Sequence, residues 1–132
     1  MSPEFASFAL AGFALLVLVH VGAHSMLLKA AVGNDWTIGS RDHPAAPGPL
    51  AGRAERALRN FLETAPAFLA LMLALHWSGR EAPIAVLGAS VYLGGRVAYL
   101  PAYLSGLRYL RTPFWLLAST GLVLMLAGVL FA

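Results

Sequence analysis

The sequence contains no cysteine. Disulfide staples, thiolate metal sites and a thiol nucleophile supplied by the chain are therefore excluded. Any sulfur chemistry must arrive with a ligand. Charge is the second scarcity. Only 11% of the 132 residues are Asp, Glu, Lys or Arg, where soluble domains carry about 25%. A water-soluble domain this small leaves much of its surface in solvent and needs charge to cover it. Hydrophobic residues make up 59% of the chain, well above the ordinary share of about 45–50%. Together these figures exclude a soluble globular enzyme, and they exclude disorder, which needs low hydrophobicity. The class that remains is an integral membrane protein of one domain, residues 1–132.

Long uncharged runs supply the spans. Residues 5–28 carry no charge and satisfy the requirement of roughly 20 apolar residues per crossing. Lys29 closes that run, and Gly33, Asn34, Asp35, Pro44, Pro47, Gly48, Pro49 and Gly52 mark a polar loop over about 31–52. Residues 113–132 form a second uncharged span. Between them, residues 64–79 are apolar but too short to cross alone, so that helix must begin among the charges of 53–63. Residues 82–107 are long enough but contain Arg96. The expected fold is an all-α bundle of four transmembrane helices at about 5–30, 53–78, 82–107 and 112–131. Short connections make the last three antiparallel neighbours. Pro66 and Pro101 fall inside helices and are candidate kinks. The first span is too long, and its flank too acidic at Glu4, to read as a cleaved signal.

The basic residues are segregated. Lys29, Arg41, Arg53, Arg56, Arg59, Arg108 and Arg111 fall on the side of loops 1 and 3, with Arg96 a helix depth inward, and Arg80 alone lies opposite. The positive-inside rule predicts loops 1 and 3 in the cytoplasm and the termini outside. The same asymmetry explains the net charge of +3 without invoking nucleic acid.

Charges within reach of the bilayer carry the chemical information, because a central Arg costs roughly 2.5–3.5 kcal/mol on insertion scales. Arg53, Arg56, Asn60 and Glu63 share one helical face, with Arg59 off it. Tyr92, Arg96, Tyr99 and Tyr103 share a face of the next helix, followed by Arg108 and Arg111. Two such stripes point to one site at the boundary of the membrane. Guanidinium forks match carboxylate or phosphate, and their surplus over Glu63 calls for an anionic ligand. Glu63 and Asn60 can also accept from an ammonium or amide, or Glu63 can hold Arg56 in a purely structural pair.

The segment from Arg53 to Phe68 follows the pattern R-x-x-R-A-x-x-N-x-x-E-x-x-P-x-F. It closely resembles the signature of the MAPEG family, the membrane-associated proteins of eicosanoid and glutathione metabolism. Arg96-Val-Ala-Tyr99-Leu-Pro-Ala-Tyr103, followed by Leu-Arg111-Thr, extends the likeness, which covers essentially the whole chain. The resemblance is to a bacterial-type member similar to microsomal glutathione transferase. It implies a homotrimer of four-helix subunits that binds glutathione as thiol co-substrate between neighbours. By the same resemblance Arg53, Arg56, Asn60 and Glu63 would hold glutathione, with Arg96, Tyr99 and Tyr103 lining the site. The family's thiol-activating arginine would fall on Arg111, or on Arg108, since this loop is slightly shorter than in the mammalian enzymes. The implied activity is glutathione transfer to hydrophobic electrophiles, or reduction of lipid hydroperoxides, in detoxification at a bacterial inner membrane. The hydrophobic substrate would enter laterally from the lipid.

Two other classes compete. A non-catalytic binding or scaffold protein would use the arginine-rich pocket for a lipid headgroup or another anion. A small transporter needs an intramembrane carboxylate, for which Glu63 is the sole candidate. His20 and His24 share a face of the first helix, but the default for them is interhelical hydrogen bonding rather than a metal. Trp36, Trp77 and Trp115 read as interfacial anchors, and Gly94-Gly95 as a point of close helix contact.

Overall fold

The computed structural model describes residues 1–79 and 82–131. Arg80, the basic residue assigned above to the opposite side, lies outside them. The described chain is α-helical, with α1 Pro3–Val32, α2 Asn34–Ile38, α3 Gly48–Ser78, α4 Pro83–Ser105 and α5 Arg111–Phe131. Four of these, α1, α3, α4 and α5, are long and apolar enough to cross a membrane. The shortest, α5, has 21 residues. At 1.5 Å per residue it is about 31 Å long, close to the thickness of a bilayer's hydrocarbon core.

Local chemistry sets the helix ends. The Ser2 hydroxyl accepts from the Phe5 amide at 3.2 Å and Pro3 occupies the first turn, so α1 begins slightly before the uncharged run. Glu4 in the first turn and Lys29 in the last both complement the helix dipole. The largest departure from the sequence reading is at α3, which starts at Gly48 rather than near residue 53. Pro49 reads as a loop residue, but proline fits a helix's first turn, where its missing N–H has no partner to lose. The loop is shorter for the same reason, and α2 lies within it. Trp36 Nε1 donates to the His43 carbonyl at 2.8 Å across that loop. Both α3 and α4 run on through Pro66 and Pro101, which lie on exposed faces.

Two packing devices hold the bundle. The first is a glycine seam between α4 and α5. A Cβ on Gly88 would lie 2.6 Å from the Gly121 carbonyl oxygen, and one on Gly121 would lie 2.5 Å from the Tyr92 amide nitrogen. Gly95 meets the Ala118 backbone in the same way, and Gly128 meets Ala85. Without side chains the backbones approach closely, which is how helices associate where lipid removes the hydrophobic drive. Of the Gly94-Gly95 pair, only Gly95 makes that contact; Gly94 faces open space. The second device is an aromatic core joining α1, α3 and α4. Phe13 stacks on Phe68 with centroids 5.0 Å apart, and Phe68 on Tyr92 at 4.7 Å. Large apolar side chains such as Phe8, Leu18 and Val123 point outward, where lipid is the solvent.

Candidate functional site

Arg96 is the centre of the polar structure. It sits midway along α4 and has no exposed surface. Such a charge is tolerable only with hydrogen-bond partners. Its Nη1 donates to Asn60 Oδ1 at 2.8 Å, and its Nη2 to Thr64 Oγ1 at 2.7 Å. Asn60 and Thr64 are one turn apart on α3, so the two arms of one guanidinium reach successive turns of the facing helix. Thr64 donates in turn to the Phe61 carbonyl at 3.1 Å, which leaves the Tyr92 hydroxyl, 3.0 Å away, to donate to Thr64. The rings of Phe61, Tyr92 and Tyr99 surround the guanidinium at 5.4–5.8 Å, within cation–π range. Nε has no partner among the described residues.

This network orients Asn60. Arg96 can only donate, so the amide oxygen faces it and the amide nitrogen faces outward, 3.5 Å from Glu63 Oε2. Glu63 stands exposed at the mouth of a cleft of about 360 Å³. Arg56, Asn60, Glu63, Tyr99, Tyr103 and Arg111 all line that cleft. Tyr99 and Tyr103 meet edge to face at 5.5 Å, and the Arg111 guanidinium lies over the Tyr103 ring at 4.8 Å. Six of the nine residues expected at the site thus converge on one space.

The other three do not line it. Arg96 does not line the cleft and meets it through Asn60 and the Tyr99 ring. Arg53 donates from Nη1 to the Leu104 carbonyl at 3.3 Å, satisfying one of the orphan acceptors at the end of α4. Arg53 and Arg108 line a second cleft of about 510 Å³ instead. Arg56, Tyr103, Arg111 and Thr112 stand between the two and border both. Of the two arginines proposed to activate a thiol, only Arg111 faces the cleft that holds Glu63 and Asn60. Among the described residues no ion pair joins Arg56 to Glu63. They are two turns apart, about 10 Å along the helix. Arg59 does pair with Glu55 at 3.0 Å, an exposed pair within one helix that adds little stability.

Four further residues belong to the site, of which the sequence reading leaves Arg59 off the stripe and gives Trp115 only an anchoring role. Arg59 borders the cleft although it lies off the stripe, and Thr112 and Trp115 complete the wall from α5. Thr64 anchors Arg96. Spacing alone carried a signal for two of them, since Thr64 follows Asn60 by four residues and Trp115 follows Arg111 by four. His20 departs from the expected interhelical bond. Its Nδ1 is 2.8 Å from the Leu16 carbonyl of its own helix, and its ring stacks on Phe61 at 4.6 Å.

No curated protein matches the chain. The sequence model of the MAPEG family matches residues 4–131, nearly the whole length. Four membrane-spanning helices, the α3 stripe that carries the resemblance and this match agree: the chain belongs to the MAPEG family, the membrane proteins of glutathione and eicosanoid metabolism.

Proposed function

We propose that the protein binds glutathione in the cleft between α3, α4 and α5 and activates its thiol for reaction with hydrophobic substrates. The observation that carries this reading is the placement of Arg111 in the same cleft as Arg56, Asn60 and Glu63. Glutathione has two carboxylates, an ammonium and a thiol. Arg56 and Arg59 suit the carboxylates as bidentate donors, Glu63 suits the ammonium, and the outward-facing Asn60 amide suits a peptide carbonyl. A free thiol has a pKa near 8.5 and reacts as its thiolate. Glutathione supplies that sulfur: its thiolate displaces a leaving group from an electrophile, or two glutathione molecules reduce a lipid hydroperoxide to the alcohol and water and leave as the disulfide. Arg111 stabilises the negative charge, and its stacking on Tyr103 holds the guanidinium in place while leaving its edges free to donate.

The proposal includes a homotrimer. Arg56, Arg59 and Glu63 are exposed on one long helix, and a neighbouring subunit would cover that open side while leaving lateral access for apolar substrates. It also places loops 1 and 3 in the cytoplasm, on the strength of the arginine bias, in the inner membrane of a bacterium.

The test is titration of the detergent-solubilised protein with glutathione, following the ultraviolet absorbance of the thiolate, together with conjugation of a chlorinated aromatic. Saturable thiolate formation and turnover, both reduced in Arg111→Ala, are expected. Thiolate-free binding without turnover would transfer the site to the scaffold reading. An absence of binding at millimolar glutathione would sink the assignment.

A further inference from the structure

The second cleft is more purely cationic than the first, where Glu63 stands among Arg56, Arg59 and Arg111. Arg53, Arg56, Arg108 and Arg111 border its 510 Å³, and no Asp or Glu lines it among the described residues. Converging guanidiniums repel one another unless an anion joins them. We infer that this cleft is a binding site for the phosphate of an anionic phospholipid, adjoining the glutathione-type cleft and sharing Arg56 and Arg111 with it.

Three observations support a lipid in particular. The first is depth. The cleft is built around the turn between Ser105, the last residue of α4, and Arg111, the first of α5. Because α5 just matches the hydrocarbon thickness, this turn lies at the level of the lipid phosphates. The second is preorganisation. Arg53 is half-buried and bonded to the Leu104 carbonyl, with its guanidinium lying against Gly106 where a Cβ would overlap it. Gly106 has φ +70°, a conformation glycine adopts without the cost that a side chain incurs. The backbone therefore shapes the turn around this arginine. The third is the surround. Leu107 and Tyr109 beside the arginines are 63% and 73% exposed. Apolar and amphipathic side chains at this depth suit acyl chains and the interface, whereas a site for free phosphate gains nothing from them. Arg108, over the Tyr109 ring at 5.3 Å, joins the cationic and apolar parts.

The inference does not require glutathione in the first cleft, and its test uses Arg53 and Arg108, which border the second cleft alone. It is tested by native mass spectrometry of the intact protein released from detergent in the presence of phosphatidylglycerol or phosphatidylcholine. The wild type should retain phosphatidylglycerol selectively, and millimolar inorganic phosphate should not displace it. Arg108→Gln should lower retention about fivefold, the contribution of one basic residue near a lipid surface. Arg53→Gln, whose residual hydrogen-bonding capacity protects the α4 terminus, should act in the same direction. Arg41→Gln removes a charge from the first loop and is the control for general surface charge. Equal loss in Arg41→Gln and Arg108→Gln would overturn the site, as would equal retention of the two lipids. Full displacement by inorganic phosphate would overturn the lipid assignment in favour of a free-anion site.

Discussion

The buried guanidinium of Arg96 on α4 and the side-chain oxygen of Asn60 on α3 lie 2.8 Å apart. Through this bond a residue without access to the cleft orients one that lines it. Replacing Asn60 with Leu removes the acceptor and leaves part of a buried cation unpaired. Stability should fall by about 2–3 kcal/mol, measured as a lower thermal midpoint in detergent. Asn60→Asp keeps an acceptor and should be much milder. Equal losses for the two would show that the bond is not what holds Arg96.

The Thr64 hydroxyl is the second anchor of Arg96, and Tyr92 donates to it from the far side. Thr64→Ser keeps the oxygen and should stay within about 1 kcal/mol of the wild type. Thr64→Val, similar in shape but without an acceptor, should cost about 1–3 kcal/mol. The comparison by thermal unfolding separates hydrogen bonding from packing, because serine loses the methyl group that valine retains.

A glycine inside the seam and one outside it should respond with opposite signs. Gly121→Ala places a Cβ 2.5 Å from the Tyr92 nitrogen and must push α4 and α5 apart, at a cost of about 1–3 kcal/mol. Gly94→Ala meets nothing within 4 Å and reduces the freedom of the unfolded chain. It should stabilise by about 0.5–1 kcal/mol. Thermal midpoints of the two variants, in the same detergent, read the difference directly.

The division of arginines between the clefts predicts a kinetic contrast. Arg111→Ala should lower conjugation by about 10²-fold, the scale seen when a donor to a developing anion is removed. Arg108→Ala should cost far less. The glutathione dissociation constant should change little in either variant, so that the loss appears in kcat. A larger loss in Arg108→Ala would move thiol activation to the second cleft.

Much of the molecule is legible without coordinates because the relevant rules are local. Uncharged runs mark the spans, and helical spacing puts Arg56, Asn60 and Glu63 on one face whatever lies opposite. Glycine and proline positions bracket the ends, although Pro49 also shows the ambiguity: the same residue suits a loop and a helix's first turn, and only the formed helix distinguishes them.

The roles of individual arginines were not legible in this way. Arg53 and Arg56 lie on the same face by spacing, yet one reaches back to the Leu104 carbonyl and the other faces Glu63's cleft. Arg108 and Arg111 are three residues apart, yet Arg108 borders the second cleft alone while Arg111 borders both. Arg96 belongs to the tyrosine stripe but turns inward, because the rotation of α4 against α3 puts Asn60 and Thr64 opposite it. Periodicity specifies which side chains share a face of one helix. Which face meets which neighbour depends on close packing across the bundle, here the α4–α5 glycine seam and the aromatic core beneath Arg96, and that is a property of the assembled helices.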